Sequence, residues 1–208
     1  MKLLIVGATG PTGRELVAQG IALDHEMTAA VRQPDQAGLP ESVRLARADV
    51  MDAASMAAAV EGQEAVVSSL GTRLSRKPTT LFSEGTRNLI AAMNQAGVRR
   101  LICITGIGAG DSKGHGGFLY DRIFLPLLLQ QIYRDKDRQE EIIRDSGLEW
   151  TIVRPGMLTD GPRTGQFRPL VDLTGIKGGK ISRADVATFI LAHLKDRASY
   201  GRTINLIY

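Results

Sequence analysis

Residues 3 to 16 read LLIVGATGPTGREL, and three glycines, Gly7, Gly10 and Gly13, follow an apolar run at intervals of three. A strand that hands over to a helix through glycines makes an anion site. The missing side chains let a diphosphate approach the backbone, and the helix N-terminus adds free N–H groups and a partial positive charge. A triphosphate loop would end in Gly-Lys-Ser/Thr, whereas Gly13 is followed by Arg14 and Glu15. The spacing is G-x-x-G-x-x-G and not the dehydrogenase G-x-G-x-x-G. A bare structural turn is the competing reading. Against it stands the motif's position, after the first strand of a chain built from repeating strand and helix units.

The end of the next strand selects the dinucleotide. An NAD site usually carries Asp or Glu there for the ribose 2′-hydroxyl. This chain reads AAVRQPDQ, with Arg32 at that place and Asp35 only after Pro34. A guanidinium holds a 2′-phosphate by paired charged hydrogen bonds, so NADP(H) is expected over NAD(H). The alternative makes Arg32 a surface residue and Asp35 the ribose ligand of NAD. Asp49 and Val50 close the third strand beside the adenine position. SSLGTR, residues 68 to 73, closes the fourth, where Thr72 and the backbone meet the cofactor's ribose.

Other chemistries find little support. Ordinary short-chain dehydrogenases use Tyr-x-x-x-Lys, the lysine easing proton transfer from the tyrosine, but Tyr133 and Lys136 are three apart. Lys136 remains the best charged candidate near the nicotinamide ribose, against the alternative of a solvated helix lysine. Tyr120 and Tyr133 read as packing residues. His25, His115, His193 and the single Cys103 have no metal-ligand spacing, so no metal is expected. His115, in a glycine-rich loop near the crevice, is the histidine best placed to donate a proton.

The elements that must position these residues alternate. Strands are expected at 2–7, 26–32, 43–50, 64–71, 100–106, 149–156 and 203–208. Helices are expected at 12–23, 52–62 (Asp52 as N-cap, Gly62 as stop), 78–97, about 118–146 and 182–195. Alternation of this kind means right-handed crossovers and a parallel sheet covered on both faces. The fold class is therefore α/β, a doubly wound, mostly parallel sheet flanked by helices. At 208 residues with 43% hydrophobic content, residues 1–208 form a single domain. A substrate-side insert spans about 106–133 and a loop-rich segment about 156–181. FLYDRIFLPLLLQQIY, residues 118 to 133, is apolar nearly all round and reads as a lid or a partner surface.

The net charge of +4 is scattered, which argues against a nucleic-acid partner. IFLPLLL, residues 123 to 129, is too short for a membrane span and carries Pro126. One cysteine and no secretory signal fit a cytoplasmic protein.

The segments VGATGPTGREL, VRLARADVMD, LGTR, PTTLFSEGTRNLIAAM, RDSGLEWTIVRPGMLTDGP and ISRADVATFIL resemble the atypical short-chain dehydrogenase/reductases, the NAD(P)H-binding, NmrA-like family. Among these the chain is most similar to the NADPH-dependent flavin reductase/biliverdin-IXβ reductases, over nearly its whole length. The resemblance implies a Rossmann-like fold. It implies a diphosphate on the turn from Gly7 to Gly13, in contact with Thr9, Pro11 and Thr12, and a 2′-phosphate on Arg32. It also implies adenine by Asp49 and Val50, and Leu70, Gly71, Thr72 and Arg73 following the cofactor inward. Thr105 and Gly106 lie near the nicotinamide as catalytic candidates with Lys136, and Pro155, Gly156 and Met157 wall its other side. The chain departs from those reductases at Gly106, Gly156 and Lys136, where they carry serine, histidine and histidine. The activity implied is NADPH-dependent hydride transfer to a small planar conjugated acceptor: a flavin such as FMN, a biliverdin-like tetrapyrrole or a quinone. Flavin is then a substrate and not a prosthetic group, and the protein a monomer or weak homodimer. The rival is a non-catalytic NADP-binding sensor of the NmrA-like type.

Overall fold

The computed structural model describes residues 1–72 and 74–208. The chain runs β1 (Lys2–Val6), α1 (Pro11–Ala22), β2 (Glu26–Val31), β3 (Arg44–Arg47), α2 (Ala53–Val60), β4 (Ala65–Ser68) and α3 (Leu81–Ala96). It continues through β5 (Arg100–Ile104), α4 (Gln130–Arg144), β6 (Glu149–Pro155), β7 (Met157–Thr159), β8 (Arg168–Leu170), β9 (Lys180–Ser182), α5 (Arg183–Ala192) and β10 (Arg202–Ile207). The sheet order is β3-β2-β1-β4-β5-β6-β10-β8, a doubly wound Rossmann arrangement. Every neighbouring pair is parallel except β10 with β8.

Why β1 reads as an unbroken apolar run follows from this burial. Leu3 and Ile5 face one layer with Leu16, Val17, Phe189 and Ile190 of α1 and α5. Leu4 and Val6 face the other, with Met56, Leu89, Met93 and Ile143 of α2, α3 and α4. A strand covered on both faces needs apolar residues at both parities.

Local signals hold where they were strong. The Asp52 side chain accepts from the Ala54 N–H at 3.1 Å, capping α2. Gly97 ends α3 in the left-handed region at φ 70°. Two expectations are corrected. The third strand is shorter than 43–50, and α3 starts at Leu81 and not at Pro78. The helix expected over 118–146 is present as one helical run over 118–144, wide and π-type over Tyr120–Leu129 and α-helical from there on as α4. Pro126 lies in the wide segment and has no N–H to give. Under-winding accommodates such a residue. The loop-rich segment also carries three strands of three residues each, with β7 and β9 paired separately. Among the described residues, no helix is long and apolar enough to cross a membrane.

Candidate functional site

Because β1 to β6 are parallel, their C-terminal ends share one edge of the sheet. From β1 the chain winds outward to β2 and β3, then returns to β4 and winds the other way. The glycine turn sits at this switch point, where open α/β sheets bind ligands.

The three glycines serve different ends. Gly7 has φ +81°, and a Cβ there would lie 2.6 Å from the Ser69 carbonyl oxygen. A Cβ on Gly13 would run into the Gly7 carbonyl oxygen and the Ala8 backbone. The fold itself requires both. Gly10 has φ −74° and ψ 163°, open to any residue. Its Cβ would meet only the Gly7 oxygen, at 3.4 Å. Neither the backbone angles nor the space at this position requires a glycine. Gly10 is also the N-cap of α1, Pro11 opens the helix, and no side chain caps it. The first-turn N–H groups therefore face the crevice uncapped. Thr9 and Pro11 are exposed, and Thr12 is buried.

Arg32 follows β2 directly and is exposed, with no ion-pair partner among the described residues. Asp35 sits on a short 3-10 turn, Pro34–Gln36, and is exposed. Asp49 accepts from the Met51 N–H at 3.0 Å, and Val50 packs against Gly85. Leu70 is half-buried, and Gly71 and Thr72 are exposed. Arg73 lies outside the described residues. Ser69, which sequence reasoning passed over, donates to the Val6 carbonyl at 3.0 Å and pins β4 to the glycine turn.

At the far end stands a buried polar network. Thr105 is 4% exposed, and its hydroxyl donates to Glu140 Oε1 at 2.7 Å. Glu140, fully buried, also accepts from Arg154 Nε (2.9 Å) and Nη2 (2.5 Å) and from Arg144 Nη2 (2.8 Å). With its single proton committed, the Thr105 hydroxyl can only accept from a ligand. Arg154 reaches on to Asp111. The Arg154 hydrogen bond holds the Asp111 carboxyl below the usual range against the opposing effect of burial. Glu140 lies in no quoted motif, and Arg154, though inside RDSGLEWTIVRPGMLTDGP, was given no role there. Their signal is two charges at apolar-facing positions of α4 and β6.

Lys136 is half-buried and not solvated as a surface lysine would be. Its Nζ donates to the Thr105 carbonyl at 2.5 Å, and it stands 5.4 Å from the Phe82 ring and 5.2 Å from the Tyr133 ring. Burial lowers its pKa from 10.5 to about 8. Between pH 8 and 10.5 the unfolded chain then holds a proton that the folded chain lacks, so this group's contribution to stability rises with pH in that window. The stability of wild type minus that of Lys136→Met should climb through it in urea melts. A flat difference would mean that the ammonium is solvated.

Tyr133 donates to the Ile107 carbonyl at 3.1 Å and accepts from Tyr120 at 2.6 Å. Burial, then Tyr120, pushes its pKa up. Its proton is thus spent on structure, as a packing role implies. A Cβ on Gly106 would lie 2.8 Å from the Tyr133 hydroxyl, which fills that space. Gly156 is closed from its side, since its Cβ would meet the Gly179 oxygen at 2.6 Å. Pro155 is buried and Met157 exposed. His115 Nδ1 meets the Ile176 carbonyl at 2.9 Å and must carry the ring's proton there. That bond fixes the ring and leaves Nε2 as its free nitrogen. The wide helix packs Tyr120, Leu125 and Leu129 against Phe82 and Tyr133. Its other face leaves Leu119, Ile123, Phe124 and Leu127 exposed.

The family model for NAD(P)H-binding proteins matches residues 7–197. A Bacillus subtilis protein named as the uncharacterized sugar epimerase YhfK is 30% identical over 216 residues, 99% of this chain and 94% of that protein. The oxidoreductase YlbE of Lactococcus lactis superposes with a TM-score of 0.84 at 25% identity, covering 100% of this chain and 90% of that one. ChuY of Escherichia coli O157:H7, described as an anaerobilin reductase, gives 0.83 at 27% identity, covering 100% and 97%. The fold is thus that of the NAD(P)H-binding oxidoreductases, and the chain belongs to the NAD(P)H-binding family.

Proposed function

We propose that the protein is an NADPH-dependent reductase that presents a planar conjugated acceptor, such as a flavin, to the nicotinamide. The observation that carries this reading is Gly10: the glycine that the fold does not need lies where a diphosphate needs room. The diphosphate would rest on the turn and the first N–H groups of α1. Arg32 would hold the 2′-phosphate, and Asp49 and Val50 would flank the adenine. Leu70, Gly71 and Thr72 would follow the cofactor inward. Lys136 would meet the nicotinamide ribose, and Thr105 would accept from the nicotinamide amide. Gly106 and the segment from Pro155 to Met157 would bound the ring. When bound, the cofactor supplies the hydride, and the chain supplies orientation and exclusion of water. With the Thr105 and Tyr133 protons committed, solvent supplies the proton. The likeness to ChuY, described as an anaerobilin reductase, supports a reductase.

Purified protein should oxidise NADPH when FMN, a quinone or a linear tetrapyrrole is added, and not without an acceptor. Tight NADPH binding with no oxidation by any of them would favour the sensor reading.

Arg32→Ala tests the cofactor. A charge-assisted hydrogen bond contributes ~1.5–3 kcal/mol, so NADPH should weaken roughly tenfold to a hundredfold. NADH offers Arg32 no phosphate and should hardly change. Equal weakening of both would mean that Arg32 only positions the loop.

A further inference from the structure

We propose that Arg14, through Arg32, sets the preference for a 2′-phosphate by holding the segment after β2 against the glycine turn. This inference rests on the NADPH reading above. Arg14 is the residue immediately after the third glycine. Its guanidinium donates to three backbone carbonyls: Nε to Thr9 at 3.2 Å, Nη2 to Ala37 at 2.9 Å and Nη1 to Gly38 at 2.6 Å. Thr9 belongs to the turn after β1. Ala37 and Gly38 belong to the segment that Arg32 opens after β2. The ribose edge of a dinucleotide lies between those two segments, so one side chain spans the notch in which a 2′-phosphate would sit.

Two features separate this contact from an ordinary surface tie. The first is charge. Arg14 meets no carboxylate among the described residues, as holds also for Arg99 and Arg100, which donate to carbonyls elsewhere; Arg14 alone of these places its charge beside the uncapped first turn of α1. Five N–H donors serve three neutral acceptors, which leaves two donors and the whole positive charge uncompensated. The second is geometry. Ala37 is 1% exposed and packs into the α1–α5 core, and Gly38 turns the chain at φ +55°. The far end of the segment is therefore anchored, and the arginine fork fixes its distance from the turn. Arg32, at the free end of that segment, depends on this distance for its aim. A lysine retains the charge but cannot reach three carbonyls at once.

The test is calorimetric binding of NADPH and NADH to wild type, Arg14→Ala, Arg14→Lys, Arg32→Ala and the Arg14→Ala/Arg32→Ala double variant. Wild type should prefer NADPH. Arg14→Ala and Arg14→Lys should each cut that preference roughly tenfold, and Arg14→Ala should cut it no further once Arg32 is gone. Either of two outcomes overturns the proposal. One is equal weakening of both cofactors, the mark of a merely structural tie. The other is an independent loss in the Arg32→Ala background, the mark of direct contact. A wild type without preference for NADPH removes the reading beneath it instead, and so is told apart. Should Arg14→Ala fail to fold, Arg14→Lys, which keeps the stem and charge, carries the comparison alone.

Discussion

Gly10→Val should lose nucleotide binding and keep its fold. Valine accepts φ −74° and ψ 163°, an extended conformation that suits a β-branched residue. The one neighbour of a Cβ there is the Gly7 oxygen at 3.4 Å, ordinary contact. A poorer N-cap costs at most about 1 kcal/mol. The diphosphate, by contrast, would meet two methyl groups where it needs the bare backbone. Affinity for NADPH should fall at least roughly a hundredfold, equivalent to ~2.7 kcal/mol. Gly7→Val and Gly13→Val are the controls, since each would drive a side chain into backbone. Both should lose stability as well as binding. Calorimetric titration beside a thermal melt separates the cases. A folded Gly10→Val that binds NADPH as wild type does would put the cofactor elsewhere.

Glu140→Ala should be among the most destabilising single changes. Both Glu140 and Arg154 are buried, at 0% and 1% exposure. Removing the carboxylate leaves Arg154 with only the exposed Asp111 and leaves the Thr105 hydroxyl without its acceptor. Breaking one side of a buried pair costs about 3–5 kcal/mol, because a charge remains in a poorly polar interior. For a chain of this size, that corresponds to a fall in Tm of roughly 6–20 °C. The double change Glu140→Leu/Arg154→Met removes both charges and should recover much of the loss. If it recovers stability but not NADPH binding, the network's role is to hold Thr105 and Lys136 at the end of β5. If Glu140→Ala melts as wild type does, water reaches the pair and the network is weaker than its burial implies.

Arg14 shows how close the sequence came to the site. It stands inside the quoted motif, and its type was used only to exclude a triphosphate loop. Its work lies in carbonyls of residues 9, 37 and 38. The last two are more than twenty residues away, and carbonyls carry no mark in a sequence. The N-terminus of α3 makes the same point. Thr80 gives no side-chain cap. Asp135 of α4 does so instead, accepting from the Phe82 N–H at 2.8 Å across 53 positions.

The order of strands and helices, the glycine turn, the Arg at the end of β2 and the cap at Asp52 were legible in the residues alone. Each rests on a local cause: a burial period, a backbone that needs freedom, a side chain bonding within one turn. The Thr105–Glu140–Arg154 network, the lowered Lys136 ammonium and the tie through Arg14 were decided only by the tertiary structure. So were the antiparallel β8 and the wide helix around Pro126. Each of these depends on groups far apart in the chain meeting in a poorly solvated interior, or on packing that outweighs local preference. A linear pattern encodes no distance between such groups, and their energy arises only when the fold removes water from between them.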